Sequence, residues 1–297
     1  MTAGPAGDRL PDRVIASPDG TPIGVFESGT AEPGTRPLLL VHGTTSDHRT
    51  FRVVAPLLGA RRRLYAIDRR GRGASGDRPE AYAIAREFED VAAVAEAVAR
   101  TSRTETVDVV GHSFGGRCAF GASLLTAAIR RIVSYEGAPP RAQGVEAAYE
   151  PAWLVPRLRD DLERGDLEGL LERFMRTVVG MNDEGLSRFR ADPVWPRRVA
   201  AAPTILRELE ASNDPAAGLE ALAQVDRPVL QVLGSTSPAA FGANSRAFAE
   251  RLAHGEFIVI EGSAHAAHHT HPVAFVAAVE SFLDRPPEGN QQGEQGR

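Results

Sequence analysis

The 297-residue sequence predicts an α/β fold: a doubly wound, mostly parallel sheet carrying an inserted helical cap. Three observations predict it. Short apolar or β-branched runs alternate with helical patterns over residues 12–137 and again over 217–285. Between them, over residues 138–216, strand signals stop and amphipathic helical segments punctuated by proline take over. In mid-chain, Gly111-His112-Ser113-Phe114-Gly115 stands between a strand-like run and an apolar helical pattern.

Each element follows from local residues. Residues 1–11 are rich in Gly and Pro and are expected to be disordered, as is the polar tail 286–297. Val14–Ala16 and Ile23–Phe26 flank the turn signal Pro18-Asp19-Gly20 and read as two strands. Leu38–Val41 is wholly apolar and reads as a central strand, ending in His42-Gly43-Thr44-Thr45. A helix containing Phe51, Val54, Leu57 and Leu58 is expected next, then the strand Leu64–Ile67. The polar turn Asp68–Asp77 follows, then apolar residues at helical spacing from Phe88 to Val98. Val107–Val110 reads as a buried strand, Cys118–Ile129 as a helix and Ile132–Tyr135 as another strand ending at Glu136-Gly137. The insertion suggests helices at Trp153–Leu162, Leu167–Val179, Glu184–Phe189 and Val199–Leu209. Strands then resume at Val229–Leu233 and Phe257–Ile260, with helices near Ala240–Leu252 and Val273–Leu283.

Composition excludes several classes of function. Formal net charge is -5, which gives no support for nucleic-acid binding, and the absence of lysine, every basic residue being arginine, reads as a composition bias. Arg61-Arg62-Arg63 reads as a solvated loop. Cys118 is the only cysteine, so no intramolecular disulfide can form, and its helical setting suits a small buried residue. No apolar stretch approaches membrane-spanning length and Met1–Leu10 lacks the apolar core of a signal peptide, which leads to the expectation of a cytoplasmic protein without membrane partners.

The chemistry-bearing stretch is Gly111–Gly115. A serine that attacks a carbonyl must stand clear of the backbone at a sharp, strained turn. Glycines on either side let strand and helix approach closely. The helix that starts after Ser113 directs free N–H groups to where an oxyanion would form. Together with His42-Gly43, the Asp68–Asp77 turn and Gly262-Ser263-Ala264-His265, this stretch resembles the α/β-hydrolase superfamily over roughly residues 12–285.

The resemblance implies a chain order of nucleophile, acid and histidine. Ser113 is then the nucleophile and His265, after the last strand, its base. The acid commonly follows the strand corresponding to Val229–Leu233, but Gly234–Pro238 holds no carboxylate. Some members place it one strand earlier, where Glu136 stands, and Glu136 is the expected acid. The oxyanion hole is expected from the N–H groups of Phe114 and Thr44, with Thr45 the weaker second candidate. His42 reads as loop-shaping and His112 as a neighbour of the site. Asp68, Arg72 and Asp77 read as polar groups holding a glycine-rich turn together. His268, His269 and His271 read as the start of a solvent-facing helix; a metal site is the sharper alternative, without a cysteine or carboxylate pair to complete it. Trp153, Met181 and Trp195 are the candidate substrate contacts, while Phe174 and Met175 read mainly as core of the insertion.

These expectations converge on a cofactor-free, metal-free serine hydrolase. It would cleave an ester, thioester or lactone of a small lipophilic substrate beneath a helical cap. Two alternatives remain open: C–C bond hydrolysis beside a ketone with the same triad, and a catalytically silent fold that only binds a ligand. Epoxide-opening and dehalogenating relatives carry aspartate where Ser113 stands.

Overall fold

The β-branched and leucine-rich runs become the centre of an eight-stranded sheet in the computed structural model, which describes residues 9–140 and 148–286. In chain order the strands are β1 (Arg13–Ala16), β2 (Pro22–Ser28), β3 (Leu38–Val41), β4 (Leu64–Ile67), β5 (Val107–His112), β6 (Ile129–Tyr135), β7 (Val229–Gly234) and β8 (Gly255–Ile260). Their spatial order is β1-β2-β4-β3-β5-β6-β7-β8. β1 and β2 pair antiparallel, β2 joins β4 antiparallel, and the rest are parallel. β3, β5 and β7 are buried at every residue, as strands covered on both faces must be.

Helices cover both faces. On one side, α2 (Ile84–Ser102), α3 (Phe114–Ser123) and Phe248 of α10 (Ala239–Arg251) enclose a core with Val41, Val109 and Ile132. On the other, α1 (Ala55–Leu58) and α12 (Pro272–Leu283) cover Leu40, Val110 and Val133, and the one-turn α11 (Ala267–Thr270) precedes α12. Between β6 and β7 strand pairing stops. There α4 (Leu154–Glu163), α5 (Leu167–Thr177), α6 (Asp183–Ala191), α7 (Trp195–Ala200), α8 (Thr204–Ala211) and the short α9 (Leu219–Leu222) follow one another. Leu158, Leu171, Phe174, Ile205 and Leu209 form their common core, which continues onto Leu233 and Phe241.

Several local expectations are corrected. The helix expected over Cys118–Ile129 begins at Phe114 and stops at Ser123; Leu124 and Leu125, which continued the apolar pattern, lie in an exposed turn. β6 starts earlier than its apolar run because Arg130 grips Asp108 of β5 at 2.7–2.8 Å and Arg131 donates to carbonyls at the end of α12. The helix expected over Val199–Leu209 is two helices, broken where Pro203 caps α8. The helix expected around Phe51 is a 3₁₀ turn, His48–Phe51, capped by Asp47, followed by α1. Arg62 is not solvated: it is buried, paired with Asp284 and 3.8 Å from Asp108. Cys118 is buried, as its helical setting implied. Of the tails, residues 1–8 and 287–297 lie outside the described residues, as do 141–147 of the insertion. Among the described residues no helix is long and apolar enough to cross a membrane.

The junction between the helical segment and the sheet is ionic as well as apolar. Glu208 of α8 is buried with Arg69 and Arg72, both from the turn after β4. Arg69 also reaches Glu87 of α2 at 3.2 Å, and Arg72 bonds Thr204 at 2.8 Å. Burial opposes charge on Arg69, but Glu208 and Glu87 outweigh it and raise its affinity for its proton. Removing one partner of such a cluster leaves buried charge uncompensated. Glu208→Ala is therefore expected to lose about 3–5 kcal/mol of stability, read by urea unfolding. A loss under about 1 kcal/mol would mean that water or a rotamer change relieves the arginines.

Candidate active site

Ser113 occupies the single-residue turn between β5 and α3 with φ +53° and ψ −126°, a conformation that costs free energy and projects the side chain off the sheet edge. Its N–H bonds Tyr135 O at 2.8 Å. The flanking glycines permit the turn sterically. A Cβ on Gly111 would lie 2.5 Å from Gly116 Cα, and one on Gly115 would lie 2.3 Å from Val41 O.

Glu136 is the first residue past β6, also in the left-handed region at φ +52°. One carboxylate oxygen lies 2.6 Å from His265 Nδ1. A carboxylate only accepts, so Nδ1 carries the proton of this contact, and in the neutral ring that leaves Nε2 as the acceptor. The other oxygen accepts from Gly234 N–H at 2.7 Å and Ser237 Oγ at 2.6 Å. The loop after β7 thus holds the acid of the neighbouring strand. Tyr135 steadies the histidine loop: its hydroxyl donates to Ala264 O and accepts from Ala267 N–H at 3.1 Å. His112 Nε2 donates to His265 O at 2.9 Å, and the His265 ring packs 4.6 Å from that of Phe241. Ser237 and Tyr135 were not singled out from sequence; only adjacency to Glu136 marked Tyr135.

Ser113, Thr44, Phe114 and Glu136 line one cleft. Phe114 is the first residue of α3, so its N–H has no intrahelical acceptor. Gly43 brings the Thr44 loop in: a Cβ there would meet Ser113 Cβ at 2.9 Å. Thr45, the second candidate, lines a different cavity. His42 does shape this loop, with Nδ1 2.8 Å from Gly43 O and Nε2 accepting from Arg69 N–H at 2.9 Å.

The expected substrate contacts are placed elsewhere. Trp153 is 53% exposed on the outer surface. Trp195 is buried in the helical core, its indole 3.3 Å from Glu168 and edge-on to Phe189. Met181 packs beside that same core. An apolar residue on an amphipathic helix faces the helix's own core by default, and sequence does not show which turn faces the cleft. Phe174 and Val178 of the α5 region, Leu209 of α8, Tyr149 and Phe241 line it instead.

The turn residues do more than hold a turn. Asp68 accepts from the N–H groups of His48 and Ala74 at 2.8 Å, as expected, but Arg72 and Asp77 reach across to α8, Asp77 through Arg207. His268 is buried rather than solvent-facing, because α11 turns it inward against His112 and Phe51. Among the described residues only Asp47, His48 and Asp68 bring three potential metal-ligating atoms together, and both carboxylates are already engaged by protein donors.

Burial holds His42, His112 and His268 well below the ordinary value of 6.5, and holds His269 down to about 4. The unfolded chain binds these protons below pH 6.5 and the folded protein does not. Their contribution is therefore whole above that pH and lost as pH falls, by about 1.4 kcal/mol per pH unit per histidine. His268→Gln should be less acid-sensitive than the parent between pH 6.5 and 5.5, by about 1 kcal/mol in urea unfolding. Equal slopes would show that His268 protonates freely in the fold.

The alpha/beta hydrolase family model matches residues 38–279. The chain is 28% identical over 273 residues to a pimeloyl-[acyl-carrier protein] methyl ester esterase of Edwardsiella ictaluri, covering 86% of this chain and 96% of that one. It is 26% identical over 257 residues to a 2-succinyl-6-hydroxy-2,4-cyclohexadiene-1-carboxylate synthase of Klebsiella pneumoniae, covering 85% and 95%. An alpha/beta hydrolase from Sphaerobacter thermophilus superimposes with a TM-score of 0.76 at 26% identity, over 91% of this chain and all of that one. The match runs from β3 into α12, takes in Ser113, Glu136 and His265, and covers well over half of the sequence: the chain belongs to the alpha/beta hydrolase family.

Proposed function

We propose that the protein is a serine esterase acting through an acyl-enzyme, with Ser113 as nucleophile, His265 as general base and Glu136 as the acid that orients it. The observation that carries this reading is the 2.6 Å contact of Glu136 with His265 Nδ1, behind a serine held in a strained turn. With Nδ1 protonated and bonded to Glu136, Nε2 is left to take the Ser113 proton as Oγ attacks the ester carbonyl. The oxyanion that develops would be met by the N–H groups of Phe114 and Thr44. His265 then returns the proton to the departing alcohol, and water repeats the sequence to release the acid. All of these steps draw on side chains and backbone of the chain itself.

The esterase in the name of the Edwardsiella ictaluri relative supports an ester bond as the target. An apolar wall of Phe174, Val178, Leu209 and Phe241 supports a lipophilic portion in the substrate. The helices between β6 and β7 would act as a cap. The cleft volume is only about 50 Å³, while one water takes up about 30 Å³ of the liquid. Outward movement of α5 and α8 would make room for a substrate, and their return would exclude water. Truncating that wall should widen acyl-chain tolerance: Phe174→Ala and Leu209→Ala are expected to raise kcat/KM for longer acyl chains relative to acetate by about tenfold. An unchanged ranking would make the cap a structural element only.

The reading is tested by a fluorophosphonate probe together with aryl esters of graded chain length. Covalent labelling and a burst of product support it. A protein that neither labels nor turns over any ester is a binding protein on this fold.

A further inference from the structure

A second cavity, of about 230 Å³, lies beside the first, between the loop Thr45–Asp47, the turn Gly71–Gly73 and α7. Arg198 enters it from α7. Its guanidinium donates to Ser46 Oγ and, at 3.4 Å, to Thr50 Oγ1, and stacks 5.5 Å from the Phe189 ring centroid. Among the other buried arginines, Arg62, Arg69, Arg70 and Arg72 are each ion-paired, while Arg117 and Arg131 spread their charge over backbone carbonyls and, for Arg117, the Ser212 hydroxyl. Arg198 has no ion pair among the described residues, although burial drives its proton affinity down to about 10. Asp47 and Asp192 favour its charge from beyond ion-pair distance without offsetting the burial, and a half-buried cation whose direct polar partners are hydroxyls is costly unless a closer counter-charge is supplied.

A second observation points the same way. Thr45 lines this cavity, is only 1% exposed, and sits at φ +60°. Its hydroxyl has no hydrogen-bond partner among the described residues. Asp47 also lines the cavity, but its carboxylate is taken up by the Arg49 backbone and guanidinium at 2.9 Å. Donors left over include the remaining Arg198 N–H groups, the Thr45 hydroxyl and the Arg72 Nε–H, with the Ser46 proton free to join them. That is a set for a carboxylate or phosphate group.

We propose that this cavity is an anion subsite, in which Arg198 and Thr45 hold an acidic group carried by the substrate itself. Ser46 is two residues past Thr44, at most about 7 Å along the chain, so the anion would sit a few bonds from the carbonyl under attack. The substrate class becomes an ester with an apolar stretch against the cap and an anionic end at Arg198. This rests on the esterase reading.

The test compares aryl half-esters of dicarboxylic acids, aryl esters of a phosphono acid and aryl esters of neutral acids of matched length. The parent is expected to favour one of the anionic sets in kcat/KM. Arg198→Met, which keeps the apolar stem, should lower the anionic-to-neutral ratio about 10–100-fold, the size of a charge-assisted hydrogen bond. Thr45→Val should lower it less, and Arg198→Lys should restore part of it. Whichever anion is favoured identifies the group. A parent that prefers neutral esters, or a ratio unmoved by Arg198→Met in a protein with unchanged melting, overturns the subsite. Thermal stabilisation by glutarate and by inorganic phosphate is read in parallel and needs no turnover. Arg198-dependent stabilisation without an Arg198-dependent ester preference would mean an adventitious ion only and reject the substrate assignment. Labelling of Ser113 by the fluorophosphonate tells whether the esterase reading itself has failed.

Discussion

Ser113→Ala is expected to fold and melt like the parent while losing turnover on the order of 10⁴–10⁶-fold. Ser212 also lines this cleft, but its hydroxyl accepts from Arg117 at 2.7 Å and donates to Glu208 O at 2.8 Å, so it is poorly placed to take over the attack. What activity remains would come from a water oriented by His265 and the two N–H groups. The melting temperature is expected to stay level or rise slightly, since the strained residue at φ +53° keeps its backbone while its hydroxyl desolvation is relieved. The measurements are steady-state kinetics, fluorophosphonate labelling with mass mapping, and thermal unfolding. Persisting label on the Ser113→Ala protein would move the nucleophile elsewhere.

Glu136→Gln is expected to lower kcat on the order of 10²–10⁴-fold with KM little changed. The reason lies in the two sides of this carboxylate. One oxygen accepts from Gly234 N–H and Ser237, the other from His265 Nδ1. A glutamine can keep only one of these as acceptor. With its oxygen on the Gly234 side, its amide donates toward Nδ1, and the proton of His265 is driven to Nε2. That tautomer cannot take the Ser113 proton. The variant should be rescued in part at high pH, where hydroxide replaces the general base, and its kcat–pH profile should lose the plateau of the parent. A fully active Glu136→Gln enzyme would show that His265 is oriented by its loop and Tyr135 alone. Ser237→Ala should cost much less, because Gly234 N–H still holds the same oxygen.

Some of this protein was legible in one dimension because the relevant physics is local. Buried parallel strands read as apolar runs, and Leu38–Val41, Val107–Val110 and Val229–Leu233 each became strands buried throughout. The elbow was legible because a turn that tight excludes every Cβ at Gly111 and Gly115, so residue type reports backbone approach directly. Glu136 could be proposed as the acid because it stands at a carboxyl strand end, where a parallel sheet places its site, and because some members of the resembled superfamily carry their acid there. Element limits were less legible where charged residues pair across strands or exposed leucines prolong an apolar pattern, as at Arg130, Arg131, Leu124 and Leu125.

The sequence by itself determined the fold class and the serine at its turn, while the expected order of acid and histidine came from the resemblance to the superfamily. The first two are set by covalent spacing and by which residues a strand or a turn tolerates. Only the tertiary structure decided what meets across the chain. It placed Ser237 on the far side of Glu136, over a hundred residues on, and Glu208 between Arg69 and Arg72. It chose Phe174 and Leu209 over Trp153 and Trp195 as cleft residues, and left Arg198 and Thr45 in one cavity. Helical periodicity tells that a face is apolar, not which of two apolar surfaces it will bury against. A charge in a sequence carries no record of its partner until packing has removed water from both.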